Sequence, residues 1–281
     1  MHATQRTDPV AFHGEGPVWS ESWGGLRWVD LYAGDVLSLQ GDTVSRRHVG
    51  SIAAALRPRR SGGAVIALES GFALEDAAGT ITDFGALELD PGLRMNDGGC
   101  DPHGRFYCGT MAYDQSPGAA RLYRLDPDGT VTVVLEGLTI SNGLEWSPDG
   151  SLAYFNDTPS GRIAVLDYCR ESGLTGLRRF AEIPSEDGFP DGLTVDSEGG
   201  VWVALYGGSA VRRYTPDGRL DGIVDVGATN VTACTFGGKE LKQLIITTTR
   251  ENLRPGQDPL AGSLFVADVG VAGRPVRKFA G

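Results

Sequence analysis

Short apolar runs broken by glycine-, proline- or charge-containing turns recur along the whole chain. One set runs from Leu26 to Asp30, Ala64 to Leu68, Arg105 to Gly109, Leu152 to Phe155, Val201 to Leu205 and Leu244 to Thr248. Most of these are followed by a second run, from Asp35 to Leu39, Arg121 to Leu125, Arg162 to Leu166, Ala210 to Tyr214 and Gly262 to Val266. No segment of ten or more residues carries apolar positions at i, i+3, i+4 and i+7, so the pattern is one of strands and not of helices. Equivalent runs are spaced by roughly 40 to 50 residues, the length of one four-stranded propeller blade. Six such units fill residues 1–281 as a single domain, which predicts an all-β six-bladed propeller. A β-sandwich or a pair of barrels leaves the six-fold recurrence unexplained. The inner strands are expected near Glu15, Ser51, Arg94, Ile140, Phe189 and Asn230. Ring closure is expected to pair the run from Pro9 to Phe12 with Arg277 to Phe279, removing an exposed edge.

A second periodicity lies on these inner strands. The segments Gly14-Glu15-Gly16, Asn96-Asp97-Gly98, Asn142-Gly143-Leu144 and Asp191-Gly192-Leu193 place a carboxylate or amide at one position. Ser20, Asp101, Ser147 and Asp196 then fall together five residues later, and a glycine opens the next strand at Gly104, Gly150 and Gly199. The remaining two units offer Ala54 and Thr232. Equivalent positions in successive blades form a ring of side chains, and this ring is rich in oxygen. Carboxylates and amides without His or Cys suit Ca²⁺, Mg²⁺ or Mn²⁺ better than a tetrahedral zinc site. The alternative occupant of such a polar channel is trapped water.

Composition narrows the partners. Glycine makes up 41 of 281 residues and is spread along the chain with turn partners, as many tight turns require. The net charge of −11 disfavours nucleic acid, which needs a basic stripe. The one basic cluster, Arg57-Pro58-Arg59-Arg60, reads as solvated surface at a turn. No run of 18 apolar residues exists, so no membrane span is expected. The first residues are polar and lack the apolar core of a signal peptide. Cys100, Cys108, Cys169 and Cys234 show no metal-type spacing and read as buried, reduced thiols of a cytoplasmic protein.

Six blocks, Gly14-Glu15-Gly16-Pro17, Arg94-Met95-Asn96-Asp97-Gly98, Gly109-Thr110-Met111, Ser141-Asn142-Gly143-Leu144, Pro190-Asp191-Gly192 and Phe236-Gly237-Gly238, resemble the signature blocks of the SMP-30/gluconolactonase/regucalcin-like family, in the family's order. The resemblance spans essentially the whole chain. It implies one divalent cation at the channel mouth and hydrolysis of a small-molecule sugar lactone. By motif match, Glu15, Asn142 and Asp191 take the metal-ligand places, Arg94 and Asn96 match substrate-contacting positions, and Asp191 matches the general base. Calcium is the first expectation for the ion, with zinc, manganese, magnesium or iron(II) as alternatives. Water would attack the lactone carbonyl, activated by the ion and by Asp191. An ion pair with Asp97 or Asp90 is the alternative role for Arg94, and strand alternation would turn Asp97 away from Asn96.

After Gly109-Thr110-Met111 the chain departs from the family's animal members, which carry a longer loop with an acidic residue over the pocket. Tyr113 or Asp114 stands in that region here. His13, next to the Gly14-Glu15 block, is expected near the pocket in a supporting or packing role, His2, His48 and His103 show no ligand spacing, and Trp19, Trp28, Trp146 and Trp202 read as blade core. Asn156-Asp157-Thr158 reads as a turn cap, with Asp30 its equivalent. No Ser or Thr near the ring has a His–Asp partner, which disfavours a serine-hydrolase triad. Two other functions stay open on the residues alone: an esterase or phosphotriesterase of the same fold, and a non-catalytic metal-binding propeller. The oligomeric state is not fixed by the sequence.

Overall fold

A computed structural model describes residues 1–281 apart from Ala86. Its described residues form six four-stranded antiparallel sheets around a central channel, with four short 3₁₀ turns and no α-helix. No helix is long and apolar enough to cross a membrane. The six inner strands are Gly14–Ser20, Ala53–Pro58, Leu93–Cys100, Ser141–Trp146, Phe189–Val195 and Val231–Gly237, one in each of the six expected units. Between neighbouring blades lies the core, where Trp28, Trp146 and Trp202 are almost fully buried and Trp19 is partly so. All four cysteines are free. Cys100, Cys108 and Cys234 are buried as expected, whereas Cys169 is exposed.

The position five residues after the ring staples turns. Asp101 Oδ1 accepts from the His103 and Arg105 amides at 2.9 Å, and Asp196 Oδ1 accepts from the Glu198 and Gly200 amides at 2.9 and 2.8 Å. Ser147 Oγ accepts likewise from the Leu152 amide at 3.0 Å. The tight turn then needs positive φ, which Gly104, Gly150 and Gly199 supply at 84°, 75° and 86°.

Ring closure differs from the expectation. Thr4–Gln5 forms the outer strand of the last blade, with Thr4 opposite Val266 and Gln5 opposite Phe265. Pro9–Phe12 instead leads into the first inner strand, held by Gly262 O, which accepts from the Val10 and Ala11 amides at 3.1 Å. The C-terminal tail joins no outer edge. It crosses the face where the inner strands end, bonding in turn to Ser197, Trp146, Pro58 and Gly104. That crossing lies at the end opposite the ring residues.

This tail also overturns the reading of the basic cluster. Arg57 and Pro58 lie in an inner strand, and half-buried Arg59 donates from Nε to Gly281 O at 2.9 Å. Arg277 does most to anchor the tail, donating to Glu145 Oε1 at 2.9 Å and to Ser147 O at 3.0 Å. Arg277→Ala is expected to cost about 1–3 kcal/mol in chemical denaturation, because it removes charge-assisted bonds to the Glu145 carboxylate and the Ser147 carbonyl, which keep only the Trp146 and Gly150 amides. Kinetic constants at the opposite mouth should stay within about twofold of the parent's.

Candidate functional site

The starts of two inner strands are fixed by a carboxylate at the end of the following strand. Asp30 accepts from the Phe12 and His13 amides at 3.1 and 3.0 Å. Asp157 accepts from the Ile140 amide at 2.8 Å. These are the turn-capping roles expected for Asp30 and Asp157. Immediately after, the inner strands crowd at the channel axis, and the glycines following the ring residues make that possible. A Cβ on Gly143 would lie 2.7 Å from Asp191 O, and one on Gly192 would lie 2.4 Å from Ala233 Cβ.

All five expected site residues, Glu15, Arg94, Asn96, Asn142 and Asp191, line one cavity of about 330 Å³ at this mouth. Each is 7% exposed or less. Asn142 Nδ2 donates to Thr158 Oγ1 at 3.1 Å, which turns the amide so that Oδ1, held only by a long 3.3 Å contact from the Gly143 amide, is available to a ligand. Glu15 Oε2 accepts from the Gly16 amide at 3.0 Å. Asp191 Oδ1 is buried with no partner at all. On the remaining side, Thr232 spends its hydroxyl on Gly14 O at 2.6 Å and Ala54 has no donor atom.

Arg94 pairs with neither Asp97 nor Asp90. It donates to Asn96 Oδ1 at 2.7 Å, to Met95 O at 3.0 Å and to Tyr32 Oη at 3.2 Å, and it stacks over the Tyr32 ring at 5.1 Å. Asn96 Nδ2 donates to Ser141 O at 2.9 Å. One N–H and one lone pair of the Asn96 amide therefore remain for a ligand.

Asp97 is corrected. A bulge between Met95 and Gly98 sets Asn96 and Asp97 together against one residue of the next strand, so simple alternation fails there. Asp97 is buried, at 8% exposed, and its charge reaches Glu15 and Asp191. Burial pushes Glu15 up to about 8, with Asp97 adding to the rise. Burial and then the Glu15 and Asp97 charges hold Asp191 well above the usual carboxylate range. Asp97 is itself raised by burial. Glu15 and Asp191, the latter with an orphaned oxygen, together with the Asn142 amide are a donor set that a hard cation would satisfy. Among the described residues no three His, Cys, Asp or Glu side chains form a metal-binding group; the set at the mouth mixes carboxylates with an amide.

Several cavity residues escaped the sequence reading. His13, expected near the pocket in a supporting or packing role, lines the cavity itself, as do Tyr206, Glu251 and Asn252. Glu251 and Asn252 sit in the long connection between Gln243–Thr248 and Phe265–Asp268. Its length was the available signal, since a long ordered loop on a compact scaffold often carries function. Neither Tyr113 nor Asp114 lines the cavity. Tyr113 Oη donates to Glu69 Oε1 at 2.6 Å, and Asp114 accepts from Ser116 at 3.0 and 2.7 Å. Gln115 lines it instead. A wall of Met111, Ile140, Pro159 and Phe189 faces the cavity with apolar surface.

Residues 13–250 match the family model described as "SMP-30/Gluconolactonase/LRE-like region". The chain is 35% identical to "Pentonolactonase XacC" of Haloferax volcanii, covering 98% of this chain and 97% of that protein. It is 34% identical to regucalcin of Danio rerio over 95% of both chains. Among solved structures, a calcium-binding regucalcin from Agrobacterium tumefaciens superposes with a TM-score of 0.92 at 29% identity, over 99% of this chain and 97% of that one. Six blades, the ring of oxygen donors and these matches over nearly the full length agree, and the chain belongs to the SMP-30/gluconolactonase/LRE-like family.

Proposed function

We propose that the protein is a divalent-cation-dependent lactonase that opens a sugar lactone to its hydroxy acid. The observation that carries this reading is the buried, unpartnered Asp191 Oδ1 beside Glu15 and Asn142. Glu15, Asn142 and Asp191 would hold the cation, with calcium the first choice of metal, in line with the calcium-binding regucalcin relative. When bound, the cation supplies positive charge against the oxygen that becomes negative as the carbonyl is attacked.

The chain's own residues do the rest. Arg94 locks the Asn96 amide from one side and the Ser141 carbonyl locks it from the other, so the free N–H of Asn96 is aimed before substrate arrives. That N–H and the face of Arg94 toward the cavity recognise lactone oxygens. Asp191 removes a proton from the attacking water. The ring C–O bond breaks as the tetrahedral carbon collapses, and the proton passes to the departing ring oxygen, giving a free hydroxyl and a carboxylic acid. The apolar wall suits the C–H face of the ring and excludes water behind it.

The test is a panel of aldono-γ- and δ-lactones, an aryl ester and an organophosphate triester, with the protein metal-loaded and then chelated. Lactones should be opened, chelation should stop the reaction and Ca²⁺ should restore it. Turnover of the ester or triester alone, or turnover indifferent to chelation, would overturn the proposal.

A further inference from the structure

We propose that His13 presents a bare Nε2 to the cavity as the hydrogen-bond acceptor for a substrate hydroxyl, with Thr249 and Glu251 holding its ring in that tautomer. The identity of the substrate rests on the lactonase reading; the tautomer does not.

The assignment follows from counting protons. Thr249 has one hydroxyl proton, for which Phe12 O stands at 3.1 Å as acceptor alongside its 2.8 Å bond from the Arg250 amide, and Thr249 Oγ1 already accepts from the Glu251 amide at 2.9 Å. His13 Nδ1 lies 2.9 Å from that same Oγ1, so the proton between them belongs to Nδ1. Glu251 Oε2 lies 3.4 Å from Nδ1 and can only accept, which favours the same tautomer. The Glu251 carboxylate is steadied through Oε1, which accepts from Tyr32 Oη at 2.6 Å. Tyr32 also packs edge-on against the imidazole at 5.0 Å, fixing the ring plane.

Nε2 is left without a hydrogen-bond partner among the described residues. Glu15 Oε1, 3.9 Å away, lies beyond hydrogen-bond reach. The ring lines the cavity beside Arg94 and Asn96. Arg94 can only donate, so a substrate hydroxyl whose oxygen it binds needs an acceptor close by for its proton, at a cost in affinity if unpaired. His13 supplies a neutral acceptor beside Arg94. A carboxylate behind Nδ1 and an open Nε2 is the arrangement by which a histidine is aimed at a substrate. Here it makes His13 a specificity residue and Glu251 the residue that positions it.

Long-range ¹H–¹⁵N correlation spectra of the full-length protein test this, with the His13 signals assigned by their loss in His13→Phe. The expected result is an Nδ1–H tautomer whose Nε2 signal moves when D-glucitol, a polyol without a carbonyl, is added to the Ca²⁺-loaded protein. Glu251→Gln, whose amide can donate toward Nδ1, should shift the ring toward the Nε2–H form. An Nε2–H tautomer in the parent protein, or an Nε2 signal indifferent to the polyol, would overturn the proposal. In kinetics, the preference for glucono-δ-lactone over unsubstituted δ-valerolactone should fall about tenfold in His13→Phe. Equal losses on both lactones would reduce His13 to a structural residue. If the parent opens neither lactone, the lactonase reading fails, and the spectra still decide the role of His13.

Discussion

Asp191→Asn is expected to lower kcat for lactone opening by about 10³-fold or more while the propeller stays folded. Loss of a general base alone removes about 10²- to 10⁴-fold, and this side chain is also assigned to the cation. The substitution keeps the shape of the residue, and the backbone that places it is held elsewhere: Asp191 O accepts from Asn156 Nδ2 at 2.6 Å, and Gly192 fits closely against Ala233. What changes is proton affinity and charge. Burial, Glu15 and Asp97 all press against ionisation of Asp191 in the metal-free protein. Removing that carboxylate therefore relieves a penalty, and the metal-free Tm should hold or rise. The Tm increase produced by Ca²⁺ should shrink at the same time, because the orphaned oxygen no longer carries a full charge. A purely architectural residue would show the reverse, with Tm falling and the remaining folded fraction fully active. A kcat within tenfold of the parent's would remove Asp191 from both assigned roles.

The repeat made much of this legible before any coordinates. An acid or amide followed by glycine recurs because the strands nearest the axis have no room for a Cβ just past the ring, as Gly143 and Gly192 show. Ser147, Asp101 and Asp196 recur because the same turn needs the same acceptor in each blade. What stayed hidden lacks periodicity. The closing strand Thr4–Gln5 is two residues long and carries no pattern to read. The C-terminal tail makes its contacts through backbone groups and arginines, outside any strand register, so Arg59 looked like free surface although it holds Gly281. At Asp97 simple strand alternation does not apply, because a bulge sets it with Asn96 against one residue of the next strand. Glu251 reaches the cavity from a loop, where neither period applies.

The metal-free protein is expected to lose stability as pH rises from about 6.5 to about 8, and bound Ca²⁺ should abolish that loss. Glu15 is pushed from an ordinary value of 4.5 up to about 8, and Asp191 is raised in the same direction. A folded-state value above the unfolded one means that the native protein holds protons that the unfolded chain has released. Stability from such groups is full below the unfolded value and is lost as pH rises through the folded one. His13 acts oppositely at lower pH. Burial and Arg94 lower it from 6.5 to about 3, so its contribution is lost as pH falls through that range. Carboxylates such as Asp149, lowered to about 2 by Ser147 and Ser151, also cost stability only in acid. Above pH 6.5 these opposing groups are silent and the carboxylates at the channel mouth dominate, with a slope of about 1.4 kcal/mol per pH unit for each proton still held. A cation at Glu15 and Asp191 replaces those protons, so its binding should release protons at pH 7 and tighten as pH rises. Urea denaturation of chelated and Ca²⁺-loaded protein at pH 6.5, 7.25 and 8, with proton release followed in weakly buffered titrations, measures both effects. Parallel pH profiles with and without Ca²⁺, or binding without proton release, would show that Glu15 and Asp191 do not hold the ion.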